Sequence, residues 1–371
     1  MRGNNVMGII FSNMHEESIR ELTDHRTMGS VPFGGRYRLI DFPLSNMVNS
    51  GINKVGVVTK RNYQSLMDHL GTGKAWDLSR RRDGLFILPP FGNSSAAFNN
   101  RVETLAAISG FLTNSKEDYV LLCDCDAVCN IDYQKVLERH IANEADITII
   151  CRRGVPSAHA FPPLVLSMDA DSRVTDIAIN PPISGECTYS MSMYLIGREL
   201  LIKLVSESVS HSQSDFLRDV LQRQVDACRV FGYAFNGFTR IIGSMNDYFN
   251  ANMDLMAPQA REELFLGDDP IYTKVRDDMP AKYGLGANAT NSLIANGCVI
   301  EGEVENCVLF RGVHVGKNAR VKNCVIMQDT VIGSGCNLNY VITDKDVVIK
   351  DERTLMGFAT YPVYISKASV V

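Results

Sequence analysis

The sequence predicts two folds in series: an α/β domain built on a mostly parallel sheet, then a left-handed parallel β-helix of hexapeptide repeats. Two observations carry this reading. Short continuous apolar runs alternate with helical stripes over the first two-thirds of the chain, and an apolar residue recurs about every six positions after Asn291. The expected boundaries are residues 1–257 for the α/β domain, 258–290 for a linker and 291–371 for the β-helix.

The strands come first. Val6–Ile10, Lys54–Thr59, Tyr119–Cys123 and Asp146–Cys151 are apolar without alternation, as suits parallel strands covered on both faces. Between them lie helical patterns. Thr104 to Leu112 places Leu105, Ile108, Phe111 and Leu112 on one stripe, and Tyr133 to Asn143 does so with Val136, Leu137, His140 and Ile141. Ser214 is positioned to cap a helix from Asp215 to Gln224. Strand–helix alternation implies right-handed crossovers and ligand binding beyond the carboxyl ends of the strands. That gathers the segments after Ile10, after Cys123 and near Ile241 around one cleft.

Pro258 to Ala289 holds three prolines, Gly284, Gly286 and clustered charge, with no sustained periodicity. The repeats then begin. Ile294, Ile300, Leu309, Val315, Val321, Ile326, Ile332 and Leu338 mark the period, with small or apolar residues four places later. Six to eight such faces are too few to stand alone, so the β-helix should pack on the first domain or on another subunit.

Composition narrows the function. The 371 residues are 45% hydrophobic and 21% charged, with net charge -5 and a pI of about 5.8, which gives no electrostatic case for nucleic acid. The short basic run Arg80–Arg82 reads as a solvated loop. Ten cysteines lack zinc or disulfide spacing and read as reduced, mostly buried small hydrophobes. No run is long enough to span a membrane, and the N-terminus lacks a signal pattern. The expectation is a cytoplasmic protein.

The most informative stretch is Val31 to Gly51, VPFGGRYRLIDFPLSNMVNSG. It resembles the segment after the phosphate loop in ADP-glucose pyrophosphorylases, the glucose-1-phosphate adenylyltransferases. Ile52–Thr59, Trp76–Leu78, Leu88–Pro90, Asn252–Leu255 and the hexapeptide region extend the resemblance over nearly the whole chain. The resemblance implies a Rossmann-like nucleotidyltransferase domain. In that family a sugar 1-phosphate joins the α-phosphorus of a nucleoside triphosphate. Backbone N–H groups, cations and Mg2+ neutralise the crowded phosphates.

Carried over residue by residue, the resemblance finds that chemistry missing. No glycine stands between Gly8 and Gly29. The family's loop glycines fall at Asn13, Met14 and Glu16, and its loop arginine falls at Ser18. The lysine of Lys-Pro-Ala-Val falls at Met28, and the sugar-phosphate lysine of Glu-Lys-Pro falls at Asn180. The helix carrying Gly-Thr-Ala reads Arg101-Val102-Glu103. One metal aspartate is kept as Asp126, with Asp124 nearby. The other falls at Ile241, which cannot ligate Mg2+.

The resemblance is therefore to the GlgD-type regulatory subunit. It implies no catalytic residues, no required cofactor, and Mg2+ and ATP only with residual activity. It further implies a GlgC-type catalytic partner in a heterotetramer and a sugar-phosphate effector, with Arg26 and Arg36 as anion contacts. Asp126 is left as a vestigial metal ligand. Three alternatives stay open: an active adenylyltransferase using Asp126 with or without Asp124, an acyl-transfer role for His314 in Gly312–Gly316, and a cleft that senses nucleotide or sugar phosphate.

Overall fold

The computed structural model describes residues 5–89, 100–157 and 162–371. Pro90, in the Leu88–Pro90 motif, lies outside them. Val6–Phe11 is the central strand of the first domain. It pairs in parallel with Tyr119–Asp124 on one side and Lys54–Val58 on the other, and Gly84–Leu88 extends the parallel set. Successive side chains of a strand point to opposite faces. Here Val6 and Ile10 enter one core while Met7 and Ile9 enter another. Both faces are covered, which is why the strand reads as one apolar run.

Cys187–Gly197 joins the other edge antiparallel to Tyr119–Asp124 and to Ile147–Gly154. Its register shifts between Ser190 and Met193, and Ser192 takes a left-handed φ of 57°. The expected helices form with altered ends. One pattern divides into Arg101–Ala107 and Ser109–Thr113, and another gives Tyr133–Ala142, capped by Asp132. The cap expected at Ser214 falls at Asp215, whose carboxylate accepts from the N–H groups of Leu217 and Arg218. A carboxylate is the stronger acceptor at a helix N-terminus.

The second domain has three five-stranded parallel sheets, one for each face of a triangular coil. This is more than the six to eight faces counted from sequence. The first strands, Lys282–Tyr283 and Asn288–Thr290, already pair with Val299–Ile300 and Glu303–Glu305. The β-helix thus starts inside the stretch read as linker, whose beginning is the helix Pro258–Phe265. Cys298, Cys307, Cys324 and Cys336 point into the coil interior, and all ten cysteines are unpaired. Among the described residues no helix is long and apolar enough to cross a membrane.

The β-helix packs on the first domain through a shared core. Val308, Phe310, Val325, Met327 and Ile342 join Phe33, Phe42, Tyr248 and Phe249 in one cluster. The Val31–Gly51 run supplies much of this joint. Gly34 and Gly35 adopt left-handed φ angles of 59° and 83°, which favour glycine. A Cβ on Gly35 would sit 3.6 Å from the Leu309 carbonyl. Asn252 accepts from the Gly34 N–H at 2.9 Å, and Tyr37 stacks on Phe265 at 4.8 Å.

Candidate functional site

Beyond the carboxyl ends of the parallel strands lies a cavity of about 800 Å³. Met14 and His15 line it from the loop after Val6–Phe11, Arg101 from the helix capped by Asn100, and Ile241 from a short strand beside Ala127–Cys129. Arg152, Ser190, Tyr194 and Phe216 line the opposite side. Of the three segments expected around one cleft, two line it; the segment after Cys123 reaches it through Asp124, which pairs with Arg101 and lies 3.3 Å from His15.

The loop that should cradle phosphate is tied to itself. Asn13 accepts from the Lys60 N–H and the Ser12 hydroxyl, both at 2.9 Å, and its amide donates to Glu16. Burial pushes the Glu16 carboxyl up to about 7, against the opposing pull of Asn13 and Arg61. Met28 and Asn180, which the resemblance set at lysine positions, are buried in the core and exposed, respectively.

Arg101 is buried in the wall of the site. Its Nη2 donates to both oxygens of Asp124, at 2.7 and 2.6 Å. The guanidinium lies 5.0 to 5.3 Å from the ring centroids of Phe11, Tyr194 and Phe216. Salt bridge and aromatic box together hold a cation inside the protein. Arg101 lowers the carboxyl pKa of Asp124 despite burial, with His15 helping. His15 Nε2 is 3.3 Å from Asp124 Oδ2.

Asp126 sits behind this pair, 1% exposed. Neither carboxylate oxygen has a hydrogen-bond partner among the described residues. Burial first, and the Asp124 charge second, raise its carboxyl pKa. Ile241 is the register partner of Ala127, and the Ile242 N–H donates to the Asp126 carbonyl at 2.8 Å. The second aspartate of a magnesium site would stand at Ile241, where there is only hydrocarbon. Mg2+ takes near-octahedral oxygen ligands and keeps several waters. The residues present therefore do not fit that ion in the two-aspartate manner.

The two arginines read as anion contacts part company. Arg26 is 3% exposed, and its Nη2 donates to both oxygens of Asp344 at 2.7 and 2.8 Å. It serves as a clasp between domains rather than an open anion contact, although its Nη1 has no partner among the described residues. Arg36 is exposed over the Tyr37 ring. Sequence reasoning missed Lys345, half-buried beside this clasp. Burial, with Arg38 and Arg26 nearby, pushes its ammonium down to about 7 against the pull of Asp344. Only the placement of Lys345 against Arg38 and Arg26 reveals it. His314 lies outside the coil, 40% exposed and 3.4 Å from Glu301.

Residues 16–257 match the family model described as nucleotidyl transferase, and residues 279–359 match a GlmU-like, C-terminal hexapeptide. The chain is 38% identical to "Glycogen biosynthesis protein GlgD" of Bacillus subtilis, with 100% of this chain and 98% of the relative covered. The chain belongs to the ADP-glucose pyrophosphorylase family. Another relative, the GlgD protein of Geobacillus stearothermophilus, is 40% identical over 86% of this chain and 83% of its own length. Glucose-1-phosphate adenylyltransferase from the same organism is 35% identical over 82% and 79%. Within this fold the site keeps its strand-end position, and the loop after Val6–Phe11 is held by Asn13 and Glu16.

Proposed function

We propose that this chain is a non-catalytic regulatory subunit of glucose-1-phosphate adenylyltransferase in glycogen biosynthesis. It would act by binding a GlgC-type catalytic chain in a hetero-oligomer, with a heterotetramer as the expected form. The observation that carries the reading is the Arg101–Asp124 pair, closed at 2.6 Å inside the cleft. Arg101, 5% exposed, spends its charge on Asp124 instead of presenting it to a phosphate in the cavity. The well-built joint around Val31–Gly51 is consistent with a chain kept for folding and assembly. Regulation then follows if this chain favours the partner's active conformation over its inactive one.

Mixing tests this. Added to a catalytic relative at equimolar concentration, the chain should co-elute with it and change its kcat, KM or effector response. Two chains that elute separately, with unaltered kinetics, would remove the regulatory assignment.

An anionic effector, of the sugar-phosphate class, fits the basic ground around Arg38 and Lys345. The folded pKa of Lys345, about 7, lies below its ordinary 10.5. Holding it charged therefore costs stability in full below about pH 7, and that cost is relieved as pH rises toward 10.5. An anion would offset the cost. Sulfate keeps a constant charge across this range and should bind several-fold more tightly at about pH 6 than at about pH 8. Lys345→Gln should flatten that difference. Equal sulfate affinity at both pH values in the parent chain would place the effector elsewhere.

A further inference from the structure

We propose that His15, Asp124 and Asp126 form a site for a divalent transition-metal ion of the zinc class. The ligand set differs from the two-aspartate magnesium site of the family. One ligand atom from each residue lies within 4.8 Å of the others. Ligands about 2.0 to 2.2 Å from a tetrahedral ion stand roughly 3.4 Å apart. The His15–Asp124 distance of 3.3 Å already matches, and a small movement of Asp126 closes the rest.

Charge points the same way. The one guanidinium in this buried place, Arg101, is spent on Asp124. Asp126 is left over, since among the described residues neither of its oxygens has a hydrogen-bond partner while 99% of the residue is shielded. A carboxylate offers about four lone-pair positions, so Asp124 can keep Arg101 and still accept a metal. Arg101 then acts as the outer partner that orients a ligand.

Ligand type selects the ion. An imidazole nitrogen suits zinc and its neighbours, whereas Mg2+ prefers oxygen and a retained water shell. Asp124 and Asp126 are each 1% exposed, which leaves little room for that shell. The replacement of an aspartate by Ile241 removed an oxygen ligand on one side. The left-handed turn at His15, φ 61°, brings a nitrogen ligand from the other.

The test uses the full chain, stripped with a chelator and titrated with Zn2+ by calorimetry, with metal content measured after gel filtration. One zinc per chain is expected, with Mg2+ at equal concentration failing to displace it. His15→Ala and Asp126→Asn should each weaken binding by about 100-fold or more. His15 sits in a partly exposed loop, so its variant should keep the parent circular dichroism. The Co2+-loaded chain should lack a thiolate charge-transfer band, which sets the site apart from cysteine. Zinc retained by both variants, saturation by Mg2+, or no stoichiometric metal would overturn the proposal. None of these outcomes bears on the regulatory reading, whose test is the mixing experiment.

Discussion

Asp344→Ala should cost about 3–5 kcal/mol of stability. Asp344 is 1% exposed and takes two bonds from Arg26, one from the Lys345 N–H at 2.7 Å and one from the Tyr364 hydroxyl at 3.2 Å. Removing the carboxylate leaves the Arg26 guanidinium buried and uncompensated. The loss arises from that orphaned charge more than from the attraction removed, because desolvation offsets much of a buried pair's gain. The double variant Arg26→Met, Asp344→Leu should therefore recover most of it. Urea unfolding of the parent, the single variant and the double variant measures this. A single-variant loss below about 1 kcal/mol would show that the clasp is solvated and does not hold the two domains.

Tyr364 extends the clasp, since its single hydroxyl proton is shared between Asp344 and the nearer Glu21 carbonyl at 2.7 Å. Glu21 follows directly on the altered loop, so the β-helix and the cleft share a support.

The repeat domain was legible because each coil must turn an apolar side chain inward about every six residues, and Val315, Val321, Ile326 and Ile332 do so. Its start was not legible. Lys282, Tyr283 and Asn288 to Thr290 are exposed, while the inward neighbours Ala281 and Ala287 are too small to mark a period. The strand Cys187–Gly197 escaped for a different reason: its bulge at Ser190–Met193 breaks the pattern that would announce it.

At the site, Ile241 could be read against Asp126 because a motif fixes both positions, and the fold brings their segments together as expected. The Arg26–Asp344 pair could not, because 318 residues separate the partners. Arg101 and His15 fell between these cases. The resemblance implied that the phosphate-binding residues had gone, and only the packing shows that Arg101 and His15 both stand against Asp124. Arg101 is held by Asp124 and three aromatic rings that come from four separate segments.

The largest expected effect is on turnover. Removing one donor from a charge-stabilising site costs about 10²–10³ in kcat. By the resemblance this chain lacks the loop arginine, both lysines and the second metal aspartate, and Arg101 is paired with Asp124 at 2.6 Å. Such losses do not add, yet together they should exceed any single one. Purified alone, with ATP, glucose 1-phosphate and Mg2+, the chain should release pyrophosphate at least about 10³-fold more slowly than a catalytic family member. Turnover by the chain alone within about tenfold of that relative would contradict the account, because the cleft would then be an active site built from other residues.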